Sequence, residues 1–208
     1  MKKRQKMLSD RDFFVLPPHE GMVDYVAVFG NANPVYIEIG SGKGEFISQY
    51  PTLYPDANFL GFEVREKRIR NILKKLDPSR NPNVRLMVEL VDEGIRERLP
   101  AESVEGVFIQ HPDPWPKRRH HRRRLIQPVF LEALAYILKK GGFVQISTDH
   151  AEYATWIERE FAQCPLFKPV FSETIQNSPH LENHVVTWFE EEQRRQGYEP
   201  QFMFYHKV

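Results

Sequence analysis

Three acidic side chains stand where an acid is costly or rigidly held. Asp113 lies between prolines in Gln110-His111-Pro112-Asp113-Pro114-Trp115-Pro116-Lys117. Proline fixes φ and drives the residue before it toward extended geometry, so this carboxylate sits on a stiff loop. Glu38 falls inside the apolar run VYIEI, where an ionised group is unfavourable without a partner. Glu63 closes the run NFLGFE, 19 residues after Gly44. A carboxylate there can accept both ribose hydroxyls of an adenosine lying across strand tips. Glu38 suits the amino or sulfonium end of a cationic cofactor.

Gly40-Ser41-Gly42-Lys43-Gly44 follows VYIEI directly and opens a helical pattern. Glycine lets the chain turn sharply and lets a ligand approach the backbone. The segment is not a triphosphate loop, because no Gly-Lys-Ser/Thr follows at the required spacing. Nor is it the dinucleotide fingerprint, whose third glycine comes one position later.

Positive charge is concentrated. Lys2, Lys3, Arg4 and Lys6 crowd the first residues, and Lys117, Arg118, Arg119, Arg122, Arg123 and Arg124 crowd KRRHHRRR, with no acid among them. The whole chain carries only +1, and outside these two clusters 19 basic residues face 28 acidic ones. A negative body with two basic patches fits a phosphate-bearing partner. The arginine run is read as a grip on an RNA backbone, and a rigid acid, a tryptophan and a lysine beside it suit a base attached to phosphates.

These residues need a frame. Strands are expected at VYIEI, NFLGFE, 83–88, GVFIQ and FVQIS, with helices at 65–76, 124–140 and about 150–162. Gly141-Gly142 is expected to stop the second of these helices. Strand–helix units of this length predict an α/β fold, a doubly wound and mostly parallel sheet with helices on both faces. Strands at 167–171 and 202–205 around a helix near 190–196 would close it, one of them antiparallel. Ligands of such sheets bind along the carboxyl edge, where the glycine turn, Glu63 and the Asp113 loop all fall.

The chain resembles the bacterial tRNA (guanine-N(7)-)-methyltransferases of the Rossmann-like, S-adenosylmethionine-dependent class. The motifs are PDPWPKRRHHRRR, IEIGSGKGEF, FLGFEVREKRI, GGFVQISTDHAEYA and Thr187-Trp188-Phe189-Glu190, in family order from about residue 35 onward. The resemblance implies methyl transfer from S-adenosylmethionine to N(7) of a guanine in the variable loop of tRNA. It implies that Glu38, Gly40 and Glu63 serve the cofactor and that Asp113, close to it, is the catalytic carboxylate. Lys117, Asp149, Thr187, Phe189 and Glu190 look like substrate-binding positions. The sequence departs from the family at Leu90, where an adenine-contacting Asp or Asn is usual, and at Gln110-His111, where Asn-Phe is usual. Glu89 or Asp92 then replaces the missing contact, or backbone and packing hold the adenine.

Other readings exist on the same fold. A nicotinamide oxidoreductase is opposed by the glycine spacing, and methylation of a small molecule or protein by the basic run. A non-catalytic RNA-binding protein is opposed by the joint presence of Glu38, Glu63 and Asp113. The composition, 41% hydrophobic and 27% charged, is that of a globular domain. We expect one methyltransferase domain over 1–208 with a basic extension at about 1–12. No apolar run nears the roughly 20 residues of a membrane span. One cysteine, Cys164, permits neither an intrachain disulfide nor a thiolate zinc site. A cytoplasmic protein with no metal is expected, and monomer and homodimer stay equally open.

Overall fold

The computed structural model describes residues 12–17 and 21–208. The basic cluster Lys2, Lys3, Arg4 and Lys6 lies outside them. Among the described residues seven strands form one sheet: β1 (Val35–Ile39), β2 (Asn58–Phe62), β3 (Val84–Met87), β4 (Val104–Gln110), β5 (Leu138–Thr148), β6 (Phe167–Pro169) and β7 (Gln201–Lys207). Their order is β3-β2-β1-β4-β5-β7-β6. The first five run parallel, and β7 is antiparallel to both β5 and β6. This is the expected doubly wound sheet with an antiparallel C-terminal strand.

Helices among the described residues are α1 (Tyr25–Phe29), α2 (Glu45–Gln49), α3 (Glu66–Leu73), α4 (Ile95–Arg98), α5 (Pro128–Ile137), α6 (Ala151–Gln163) and α7 (Trp188–Arg195). Alternation along each strand feeds a core on each face of the sheet. Ile37, Leu60, Val107 and Ile109 pack with Phe130, Leu134 and Ile157 on one side. Phe59, Leu86 and Phe108 pack with Phe46, Ile47 and Ile72 on the other.

The junction of α5 and β5 differs most from expectation. Helix α5 starts at Pro128, not at 124, and ends at Ile137; β5 begins at once with Leu138, paired to Val104. Gly141 and Gly142 therefore lie within a strand. Between Val104 and Gly106 the β4–β5 register shifts, and Gly141 takes φ +78°. A side chain at Gly142 would meet backbone oxygens at 2.9 and 3.0 Å. The glycines thus permit a bulge in the strand instead of capping a helix.

The sheet order reverses between β1 and β4. Connections from these adjacent strands leave to opposite faces, which opens a crevice beyond their carboxyl ends. Gly40 follows β1 and His111 follows β4, so both candidate loops flank that crevice.

Candidate functional site

A cavity of about 780 Å³ opens at this point, and Gly40, Glu63, Leu90, Gln110, Asp113 and Arg123 are among the residues in its wall. Residues from four strand ends therefore share one space.

The glycine turn is anchored to β2. Both the Gly40 and Ser41 amides donate to the Phe62 carbonyl at 2.9 Å. Gly40 adopts φ +80°, and nothing lies within 4 Å of where its Cβ would be. Glycine is needed for the conformation, and open space stands before it. Glu63, 2% exposed, accepts hydrogen bonds from the Gly42 amide at 3.0 Å and the Arg65 amide at 2.9 Å. The Arg68 guanidinium approaches it at 3.3 Å. These contacts hold the carboxylate at the rim of the cavity.

Glu38 is buried at 4% exposure. Its Oε1 accepts from the Gln110 amide at 3.3 Å, while Oε2 has no partner among the described residues. Burial pushes its carboxyl up to about 7; the nearby Ser41 hydroxyl and Gln110 amide oppose the rise, and Glu45 and Glu63 add to it. A buried, unsatisfied carboxylate oxygen beside an open glycine turn matches a cofactor with a cationic end. The residues present fit that group.

The loop after β4 is strained. His111 takes φ +50° and Trp115 φ +42°, left-handed conformations that cost a non-glycine residue. Asp113 is exposed, and no described group hydrogen-bonds to it. Beyond it Arg118–Arg123 form a 3-10 turn, and Lys117, Arg118, Arg119, Arg122 and Arg123 are all exposed. The Arg123 guanidinium lies 5.1 Å from the centre of the Trp115 ring.

Arg124 corrects the expectation that it grips RNA. Its side chain is fully buried, forked onto Glu152 at 3.1 and 2.6 Å and donating to the Pro114 carbonyl at 2.9 Å. It also lies over the rings of Tyr153 and Trp156. A guanidinium so committed ties the proline loop to α6 and has nothing left for a phosphate.

The remaining predicted positions gather beside the cavity, not in its wall. Asp149 follows β5, with its Oδ1 3.5 Å from His111 Nδ1. Burial works to raise the Asp149 carboxyl, but the facing His111, a backbone amide and His150 outweigh it and hold it below the usual range. The Phe189 ring centre lies 4.9 Å from that of His111. Thr187 caps α7, its hydroxyl accepting from the Glu190 amide at 3.2 Å. Glu190 is 1% exposed, and its carboxylate oxygens are taken by His184 at 2.8 Å and Arg194 at 3.1 Å. In this arrangement Glu190 secures the helix, its two oxygens shared between His184 and Arg194. Burial would raise its carboxyl, but these two partners keep it below the ordinary value.

Near Leu90, the Glu89 carboxylate is engaged by Arg98 at 2.9 and 3.1 Å, and Asp92 accepts from the Gly94 amide at 2.9 Å. Leu90 itself is 67% exposed. Sequence reasoning overlooked Lys43 and Trp188, whose ammonium and ring meet at 2.9 Å and join the glycine turn to α7. The tryptophan inside Thr187-Trp188-Phe189-Glu190 was the available signal. Among the described residues no group of three or more potential ligands is placed to hold a metal, and no helix is long and apolar enough to cross a membrane.

A family model described as "Putative methyltransferase" matches residues 32–202. The chain is 39% identical over 145 residues to a tRNA (guanine-N(7)-)-methyltransferase of Halorhodospira halophila, covering 70% of this chain and 63% of that relative. It is 36% identical over 181 residues to the enzyme of that name in Cupriavidus pinatubonensis, covering 87% of this chain and 70% of that one. The first of these alignments thus spans less than two thirds of the relative's length. A crystal structure of an rRNA methylase from Streptococcus thermophilus superposes with a TM-score of 0.55 at 13% identity, covering 96% of this chain and 95% of that one. That likeness concerns the fold alone.

Proposed function

The chain belongs to the family of the tRNA (guanine-N(7)-)-methyltransferases, and from that premise we propose that it transfers a methyl group from S-adenosylmethionine to N(7) of a guanine in tRNA, in the variable loop. The observation that carries this reading is a cavity whose wall includes Gly40, Glu63 and Asp113 and borders the exposed arginines.

Bound S-adenosylmethionine supplies a methyl group on a sulfonium leaving group. Glu63 accepts hydrogens from the ribose, Gly40 gives room at the turn, and Glu38 balances the cationic end. With the Glu89 carboxylate engaged by Arg98, Leu90 and the surrounding backbone hold the adenine by packing.

Guanine N(7) carries a free lone pair in the neutral base, so no residue needs to remove a proton to make the nucleophile. The protein's task is alignment. Methylation makes the purine ring cationic, and the unpaired carboxylate of Asp113 opposes that charge as it develops. Asp149 receives hydrogens from the Watson–Crick edge, with Phe189 beside it. The base must leave its stack to enter, while Lys117, Arg118, Arg119, Arg122 and Arg123 hold the phosphates. Thr187 and Glu190 support this from behind, by fixing the start of α7. Incubation with labelled cofactor and bulk unmodified tRNA tests the reading: labelled 7-methylguanosine supports it, and a different labelled nucleoside refutes it.

A further inference from the structure

His111 takes no part in the steps above, yet its environment is unusual. Its side chain is 5% exposed, and neither ring nitrogen makes a hydrogen bond among the described residues. Its backbone stands at φ +50°, pinned by its amide N–H donating to the Ser147 carbonyl at 2.9 Å. Both features are unfavourable, and together they aim the imidazole at one place: Nδ1 faces Asp149 Oδ1, and the ring lies against Phe189. The residue also lines the cavity.

We propose that His111 is the positioning residue for Asp149, its Nδ1–H closing onto Oδ1 and turning the carboxylate toward the incoming base. This rests on the methyltransferase reading and adds to it what orients the base-edge acceptor. The 3.5 Å separation is long for a hydrogen bond, and such contacts commonly tighten only when substrate arrives. The Ser147 carbonyl ties the loop to the end of the very strand that Asp149 follows, so the two side chains are held by one hydrogen-bonded frame. Phe189 covers the ring and keeps the pair from turning away.

The experiment uses three variants of the full chain with unmodified tRNA. His111→Phe keeps a ring beside Phe189 but removes both nitrogens. His111→Asn keeps a donor near the place of Nδ1 and tolerates the left-handed backbone, whereas His111→Gln carries its amide out toward Nε2. We expect His111→Phe and His111→Gln to lower kcat/KM for tRNA by on the order of 10–100-fold, and His111→Asn to restore most of it. Cofactor affinity by calorimetry should match the parent in all three. In an Asp149→Ala background, His111→Phe should change kcat/KM by less than about twofold, since there is no carboxylate left to orient. The proposal is overturned if His111→Phe equals the parent, if His111→Gln restores as much as His111→Asn, or if the loss persists undiminished without Asp149. Should His111→Phe fail to fold, the Asn and Gln variants decide alone. Failure of the underlying reading looks different: the parent itself then forms no 7-methylguanosine.

Discussion

Arg124 and Glu152 form a two-pronged ion pair, Nη1 to Oε1 at 3.1 Å and Nη2 to Oε2 at 2.6 Å, that fastens the end of the arginine run to α6. The pair divides a run of like residues into two kinds. Arg122 and Arg123 face solvent, and Arg124 is interior.

Arg124→Ala should therefore destabilise the fold, by about 2–3 kcal/mol, chiefly because the packing against Tyr153 and Trp156 disappears, since Glu152 can return to water. It should leave the salt dependence of RNA binding unchanged for the protein that remains folded. Replacing Arg122 and Arg123 with alanine should do the opposite. Melting should stay put while the slope of log K against log salt flattens by about 0.7–0.9 for each phosphate no longer neutralised. Thermal melts and binding titrations at several salt concentrations separate the two. An unchanged slope in the double variant would make those arginines a solvated surface only.

Glu38 predicts a pH dependence. Its carboxyl titrates at about 7 in the folded protein, above the ordinary carboxylate value. A raised folded value means the folded chain binds more protons than the unfolded one in that window. Ligand-free protein should accordingly lose stability as pH rises toward about 7. A cationic cofactor prefers the carboxylate, so its affinity should climb with pH up to about 7 and then level off. Glu38→Gln should flatten both trends, and calorimetry across pH 5.5 to 8.5 reads them. A parent affinity independent of pH would remove Glu38 from the cationic end.

Glu63→Ala should weaken cofactor binding by about 1–3 kcal/mol, the usual cost of stranding buried polar groups, with the Gly42 and Arg65 amides also left unpaired. Leu90→Asp, by contrast, should bind cofactor at least as well as the parent. A large loss there with an intact fold would mean that Leu90 does not border the adenine.

The positions of Glu38, Gly40, Glu63 and Asp113 were legible because each depends on local signals: a glycine turn after an apolar run, an acid at a strand end, prolines around an acid. The five parallel strands followed from the alternation of apolar runs and helical patterns. Arg124 was not legible, since nothing within RRHHRRR marks which arginine turns inward. Its partner Glu152 lies 28 residues on, and only packing brings them together. The partners of Glu190 were hidden for a similar reason. A buried acid with His184 and Arg194 around it looks, in sequence, the same as an acid facing a ligand. The start of β5 was missed because Leu138 continues the apolar period of α5, and a bulge at paired glycines resembles a helix stop.

Asp113→Asn keeps the shape of the proline loop and removes the charge opposing the cationic ring. Its single-turnover rate should fall by ~10²-fold or more, with RNA affinity little changed. Rapid-quench kinetics at saturating RNA check this, and normal turnover would reduce Asp113 to a structural role.

If the nucleophile is N(7) of guanine, replacing that one atom is the most direct test. Two transcripts of the same tRNA, one made with guanosine and one with 7-deazaguanosine throughout, are offered with labelled cofactor. The guanosine transcript should take up label recovered as 7-methylguanosine. The 7-deaza transcript, which presents the same phosphates and Watson–Crick edges but no N(7) lone pair, should compete for binding and take up none. Label in the 7-deaza transcript would contradict methylation at N(7).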